Sequence, residues 1–247
     1  MNKIEKTIAL EESIRPHGIV AFPNSNSVGV VTDGGNDLVV VNVETGSVEK
    51  KILTQQVVSH LLVLHPNKSI AYVTNINSGS VSVIDVELDK VIKIIPCSKR
   101  AEGIDITPDG SELWVTNIKE NFISVINTET YKTTDRIDTG KEPLRLKFSN
   151  DGKQCFVSNS GDGTVTVYNT KTKKQISSIS IPGKKNIIEK VLYRTPRPVG
   201  ILMHPNGLYA FVSNVTAGRV EVIDMHNFAL VSSIKVGNMP DGLTLIN

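Results

Sequence analysis

Aromatic residues are scarce in this chain: one Trp, five Tyr and six Phe make 5% of its 247 residues. So few rings leave little for stacking exposed bases, which weakens single-stranded nucleic-acid binding as a function. Neither sign of charge dominates, with 27 Lys and Arg against 25 Asp and Glu, so no global field draws the chain to nucleic acid or an anionic membrane. Only two cysteines occur, Cys97 and Cys155, too few for a disulfide scaffold and suited to a reducing compartment. Long apolar runs are missing: the start, Met1-Asn2-Lys3-Ile4-Glu5-Lys6, carries an acid and no signal-like apolar stretch. The chain as written is therefore expected in the cytoplasm, and in an exported form only if a signal has been removed. Walker, dinucleotide-binding, nucleophile-elbow, Cys-x-x-Cys and c-haem attachment motifs are all absent, which leaves no sequence signature of catalysis.

What is present is a repeat. Val31-Thr32-Asp33, Val73-Thr74-Asn75, Val115-Thr116-Asn117, Val157-Ser158-Asn159 and Val212-Ser213-Asn214 punctuate the chain, with the first four valines 42 residues apart and the last step 55. The third copy shows the unit in full: Gly103 to Thr107, the turn Pro108-Asp109-Gly110, Glu112 to Asn117, Phe122 to Asn127, then Thr134 to Ile137. Short alternating runs rich in β-branched residues and bounded by turn residues predict four antiparallel strands, a to d. A period near 40 with four strands per unit is that of a β-propeller blade, so the chain is expected to be a single all-β domain.

The runs Tyr72-Val73-Thr74-Asn75 and Val81-Ser82-Val83-Ile84-Asp85, with Pro-Asp-Gly in a neighbouring unit, resemble the YVTN-type β-propeller repeat over nearly the whole chain. That resemblance implies a propeller, commonly seven-bladed, and leaves function open, because the family hosts surface-layer proteins, redox-enzyme subunits and lactonase-like enzymes. Five complete units fit between Gly18 and Val236. Lys6 to Leu10 reads as a leftover d strand and Gly242 to Ile246 as a leftover a strand, which together predict a thin closing blade. An incomplete ring would be a monomer, or a dimer through its ends.

One position at the start of each strand a holds His17, His60, Glu102, Leu144, Val199 and Asp241 around the repeat. His17, His60, Glu102 and Asp241 are candidates for a divalent metal or acid/base site if they converge. Arg15, Arg100 and Arg197 stand two residues earlier, and Arg145 close by; with Lys184 and Lys185 they are candidates for binding an anionic ligand. His65, His204 and His226 fall in turns on the opposite face, and Asp33, Asn75, Asn117, Asn159 and Asn214 read as a repeated b-to-c turn signal. The extra residues of the long step, about 183–197, form a basic insert between the fourth and fifth repeats, suited to a lid or partner contact.

The preferred reading is a non-enzymatic propeller that binds a partner protein or a small anionic ligand and requires no cofactor. A lactonase-like or lyase-like enzyme with a metal at the channel mouth is the alternative. Single-stranded nucleic-acid binding through the basic insert is a weaker one.

Overall fold

The computed structural model describes residues 4–183 and 196–245. All regular structure among them is strand, arranged as five four-stranded antiparallel sheets of the β-propeller class. The first sheet is β1 (Pro16–Ala21), β2 (Ser27–Thr32), β3 (Asp37–Asn42) and β4 (Val48–Leu53); the second is β5 (Ser59–Leu64), β6 (Ile70–Asn75), β7 (Ser80–Asp85) and β8 (Lys90–Pro96). The third holds β9 (Ala101–Ile106), β10 (Glu112–Asn117), β11 (Phe122–Asn127) and β12 (Thr133–Asp138). The fourth holds β13 (Pro143–Phe148), β14 (Gln154–Asn159), β15 (Thr164–Asn169) and β16 (Gln175–Ser180), and the fifth β17 (Pro198–Met203), β18 (Tyr209–Asn214), β19 (Arg219–Asp224) and β20 (Leu230–Lys235). Strands follow chain order in every sheet, as a meander requires.

The chain falls into two compact units, one running to Ala101 and holding the first two sheets, the other starting at Glu102 and holding the remaining three. In the first unit, Val31, Leu38, Val40 and Ile52 pack on Leu62, Ala71, Val73 and Ile84. In the second, Trp114, Ile123 and Val125 pack on Leu146, Phe148 and Val157, while Phe156, Val165 and Val167 pack on Met203, Val212 and Ile223. Middle strands b and c are almost wholly buried, as in β7 and β11, because they are covered on both faces. Outer strands such as β12 and β20 are mostly exposed, which matches their polar sequences TTDRID and LVSSIK.

Turn chemistry recurs with the strands. Asn42, Asp85, Asn127, Asn169 and Asp224 end strand c, and each carboxamide or carboxylate accepts from backbone N–H groups two or three residues on. The b-to-c asparagines behave otherwise than the sequence suggests. Asn75, Asn117 and Asn159 point inward and donate across to Ser82, Ser124 and Thr166 on strand c, so they brace the sheet rather than the turn.

No sixth sheet forms among the described residues, and neither Lys6–Leu10 nor residues 242–245 are strands. A strand needs a ladder partner, and the stretches that would supply strands b and c of that blade are missing from the sequence. The C-terminal segment still approaches the place of a strand a: a Cβ on Gly200 would overlap the Asp241 carbonyl, as one on Gly103 would overlap that of Leu144 and one on Gly18 would lie 2.8 Å from that of His60.

Candidate functional site

Strand register corrects the sequence alignment of the first unit by one residue. Thr32 pairs with Asp37 and Pro16, whereas Asn75 pairs with Ser80 and Ser59, so Thr32 occupies the place of the asparagines. Asp33 is then the first loop residue, equivalent to Ile76, Ser160 and Val215. All four donate their N–H to the residue two before the strand-a position: Arg15, Val58, Glu142 and Arg197. Asp33 is therefore an unrepeated carboxylate at a place where other units carry Ile, Val or Ser. Sequence reasoning missed it because Val31-Thr32-Asp33 imitates the repeated signal one step out of register.

The same frame makes His17 and His60 equivalent, each following Pro16 or Ser59 at the head of strand a. Their rings stack, with centroids 3.6 Å apart and 27° between planes. His17 Nδ1 lies 3.2 Å from the His60 carbonyl, which can only accept, so this nitrogen donates. His60 is buried, and its Nδ1 is 3.0 Å from Asp33 Oδ1. Arg15 Nη2 is 4.0 Å from Asp33 Oδ2, with its side chain 76% exposed. Its backbone sits at a φ of 59°, a left-handed place that Val58, Arg100 and Glu142 also adopt immediately before strand a, and Met239 in the C-terminal segment. Arg15, His17, Asp33 and His60 thus form one constellation on the d-to-a and b-to-c face of the first unit: a flat imidazole surface, a carboxylate fixing the inner ring, and an outward guanidinium.

The other candidates lie elsewhere. Glu102 accepts from Arg145 Nη1 at 2.6 Å, and both side chains are largely buried, so Arg145 holds a carboxylate of its own chain. Lys147 and Asp105 repeat that pairing at 3.0 Å. Arg197 is 4.0 Å from Glu142, Arg100 is exposed, and Asp241 is exposed in the C-terminal segment. Lys184, Lys185 and nearly all of the basic insert lie outside the described residues. Cys155 is an inert thiol, pushed well up by burial first and by the Asp105 carboxylate second. Among the described residues no three of His, Cys, Asp and Glu gather as a metal-binding group.

The family model that matches is Cytochrome D1 heme domain, over residues 9–190, most of the chain. The chain belongs to the cytochrome d1 haem domain family. The match spans β1 to β16 and so contains the whole histidine constellation. Among solved structures, a chain of hydrazine synthase from Kuenenia stuttgartiensis is similar at 19% identity and a TM-score of 0.69, covering 98% of this chain and 92% of its own. At that identity the likeness is one of fold. No curated protein matches the chain.

Membership of the cytochrome d1 haem domain family refines one expectation from sequence and corrects another. The repeat resembles the YVTN type, yet the matching model is that of a haem domain, and the two share the propeller architecture. The expectation that no cofactor is required, with a divalent ion as the alternative, is overturned, because the family is a haem-binding one. The donor chemistry of the constellation fits a haem in kind. His17 is an exposed imidazole whose Nδ1 is already oriented by a carbonyl, the second-shell bond typical of a ligating histidine. Arg15 offers a fork to a carboxylate of the macrocycle.

Proposed function

We propose that this protein is a ligand-binding propeller whose ligand is a planar, carboxylated tetrapyrrole of the haem class, received on the first unit by Arg15 and the His17–His60 pair. The observation that carries the reading is the stack itself, held at 3.6 Å beside Asp33 and Arg15. Stacked imidazoles offer a flat aromatic surface, and Asp33 fixes the inner ring so that the outer one is presented rather than mobile. With Nδ1 donating to the His60 carbonyl, neutral His17 carries its lone pair on Nε2, the atom that would meet the metal. Haem bound there would supply a redox-active iron whose behaviour the surrounding side chains tune. Arg15 orients the ligand by pairing with a carboxylate, and Asp33 limits how far that guanidinium can swing.

Titration of the purified chain with haemin, followed by its visible absorption, tests this. A saturable shift of the main band is expected, lost or altered in His17→Ala, with affinity about tenfold weaker in Arg15→Ala, the loss of roughly one charge-assisted hydrogen bond. A chain that gives no saturable change, or a change that both variants leave untouched, overturns the reading.

A further inference from the structure

Four of the five sheets bury one place on their outer strand d. Ile52, Ile95, Ile137 and Ile179, opposite Leu38, Val81, Ile123 and Val165 on strand c, are between 1% and 7% exposed. Ile234, opposite Val220 at the same place in the fifth sheet, is 48% exposed. Beyond strand d, Ile181 is buried after the fourth sheet, and its counterpart Val236 is exposed after the fifth. Strand b shows the same contrast: Tyr72, Trp114 and Phe156 are buried, whereas Phe211 at their place is half-buried.

This open face is the one that the b and c strands of a following sheet cover elsewhere. In the first unit Ala71, Val73 and Ile84 lie on Leu38, Val40 and Ile52. In the second, Ala210, Val212 and Ile223 lie on Phe156, Val165 and Ile179. What covers such a face is therefore a hairpin with an apolar residue and valine two apart on its first strand and an isoleucine on its second.

One strand of that missing neighbour is already foreshadowed by the chain. The Asp241 carbonyl stands against Gly200 as that of Leu144 does against Gly103, so Leu243 and Leu245 fall at the places of Leu146 and Phe148, core positions of a strand a. His204 donates its N–H to the Tyr209 carbonyl of strand b, and N–H groups alternate in direction along a strand. Leu202 and, at its place in the C-terminal segment, Thr244 then carry the N–H that a strand b takes. Yet residues 241–245 join no ladder, and Leu245 is exposed.

We propose that residues 241–245 and the open face of the fifth sheet take up a β-hairpin of a partner protein, its first strand antiparallel to residues 241–245 and its apolar side chains on Phe211, Val222 and Ile234. An added strand gains a ladder of main-chain hydrogen bonds, and the apolar face selects its alternate side chains. A second copy of this chain has no such hairpin to give, because every described one is already held in a four-stranded sheet. The site is on a different sheet from the histidine constellation, and the tetrapyrrole reading neither supports it nor depends on it.

A synthetic peptide of residues 69–86, the strand b and c hairpin of the second sheet, serves as the probe. Added to the ¹⁵N-labelled full chain, it is expected to give saturable amide shifts confined to the neighbourhood of residues 202, 211, 222, 234 and 241–245. The same peptide with aspartate at the places of Val73 and Ile84 should not bind. Thr244→Pro removes the N–H that the added strand needs, and Ile234→Asp puts a carboxylate under its apolar side; each should weaken binding at least tenfold. Both variants keep the native fold, since residue 244 is in no ladder and Ile234 is exposed. Absence of saturable shifts at those amides, equal binding of the aspartate peptide, or unchanged affinity in the two variants overturns the proposal. Self-association of the chain that Ile234→Asp abolishes would place a second copy on this face and overturn it as well.

Discussion

Asp33 shows how a single position can hide in a repeat. Its identity was plain in the sequence, and its role was not, because the Val-Thr-Asx signal fits two registers and only the ladder shows that Thr32 stands with the asparagines. His17 and His60 were legible as unrepeated residues at one strand-a place; their stacking was not, since sequence position carries no side-chain distance. At the same scale, Asp151 is held at about 2, below its ordinary 3.8, chiefly by the Ser149 hydroxyl, opposed in part by burial and helped further by the Lys153 backbone and ammonium. A folded-state value below the unfolded one means stabilisation fully present above about pH 4 and lost as the pH falls toward 2. Asp151→Asn is expected to lower stability in denaturant titrations at pH 7, with the difference from the native chain closing near pH 2. A gap that persists unchanged in acid would refute the assignment.

Strands were the most legible elements, because alternating Val, Ile and aromatic runs between Asx and Pro-Asp-Gly turns leave little choice of period. The third unit was read almost residue for residue, from the Gly103 strand to the turn at Gly110, whose φ of 79° needs glycine. What strands could not reveal is how near neighbouring a strands run. Gly103 lies where a Cβ would overlap the Leu144 carbonyl, and it donates its N–H to Thr116 Oγ1 at 2.7 Å. Gly103→Ala should therefore cost about 3 kcal/mol, since backbone rather than a flexible side chain must yield. Gly207→Ala meets nothing within 4 Å and only pays for a φ of 72°, about 1 kcal/mol. Thermal or chemical denaturation of the two variants ranks them, and equal losses would contradict the close packing of the a strands.

Across the molecule, five sheets were countable from five valine signals, but the fate of the chain ends was not. A repeat pattern announces a strand by its residues, while a strand exists only with partners, and Lys6–Leu10 and residues 242–245 have none. The C-terminal segment nonetheless keeps the repeat's path, with Met239 at a φ of 54° and the Asp241 carbonyl against Gly200. Gly200→Ala should displace that segment, seen as faster hydrogen exchange at residues 238–242 with β18 and β19 unaffected; unchanged exchange would show that the contact does not hold it.

The one tryptophan carries a practical meaning. Trp114 is fully buried in the second unit, edge-on to Phe148, hydrogen-bonded to Glu112 and approached by the Lys173 ammonium. Its emission is a built-in reporter of the second unit's interior, whereas the tetrapyrrole would bind on the first. Unfolding followed by tryptophan light and by total β-sheet dichroism thus samples different parts of one chain, and the offset between the two midpoints measures how independently the units melt.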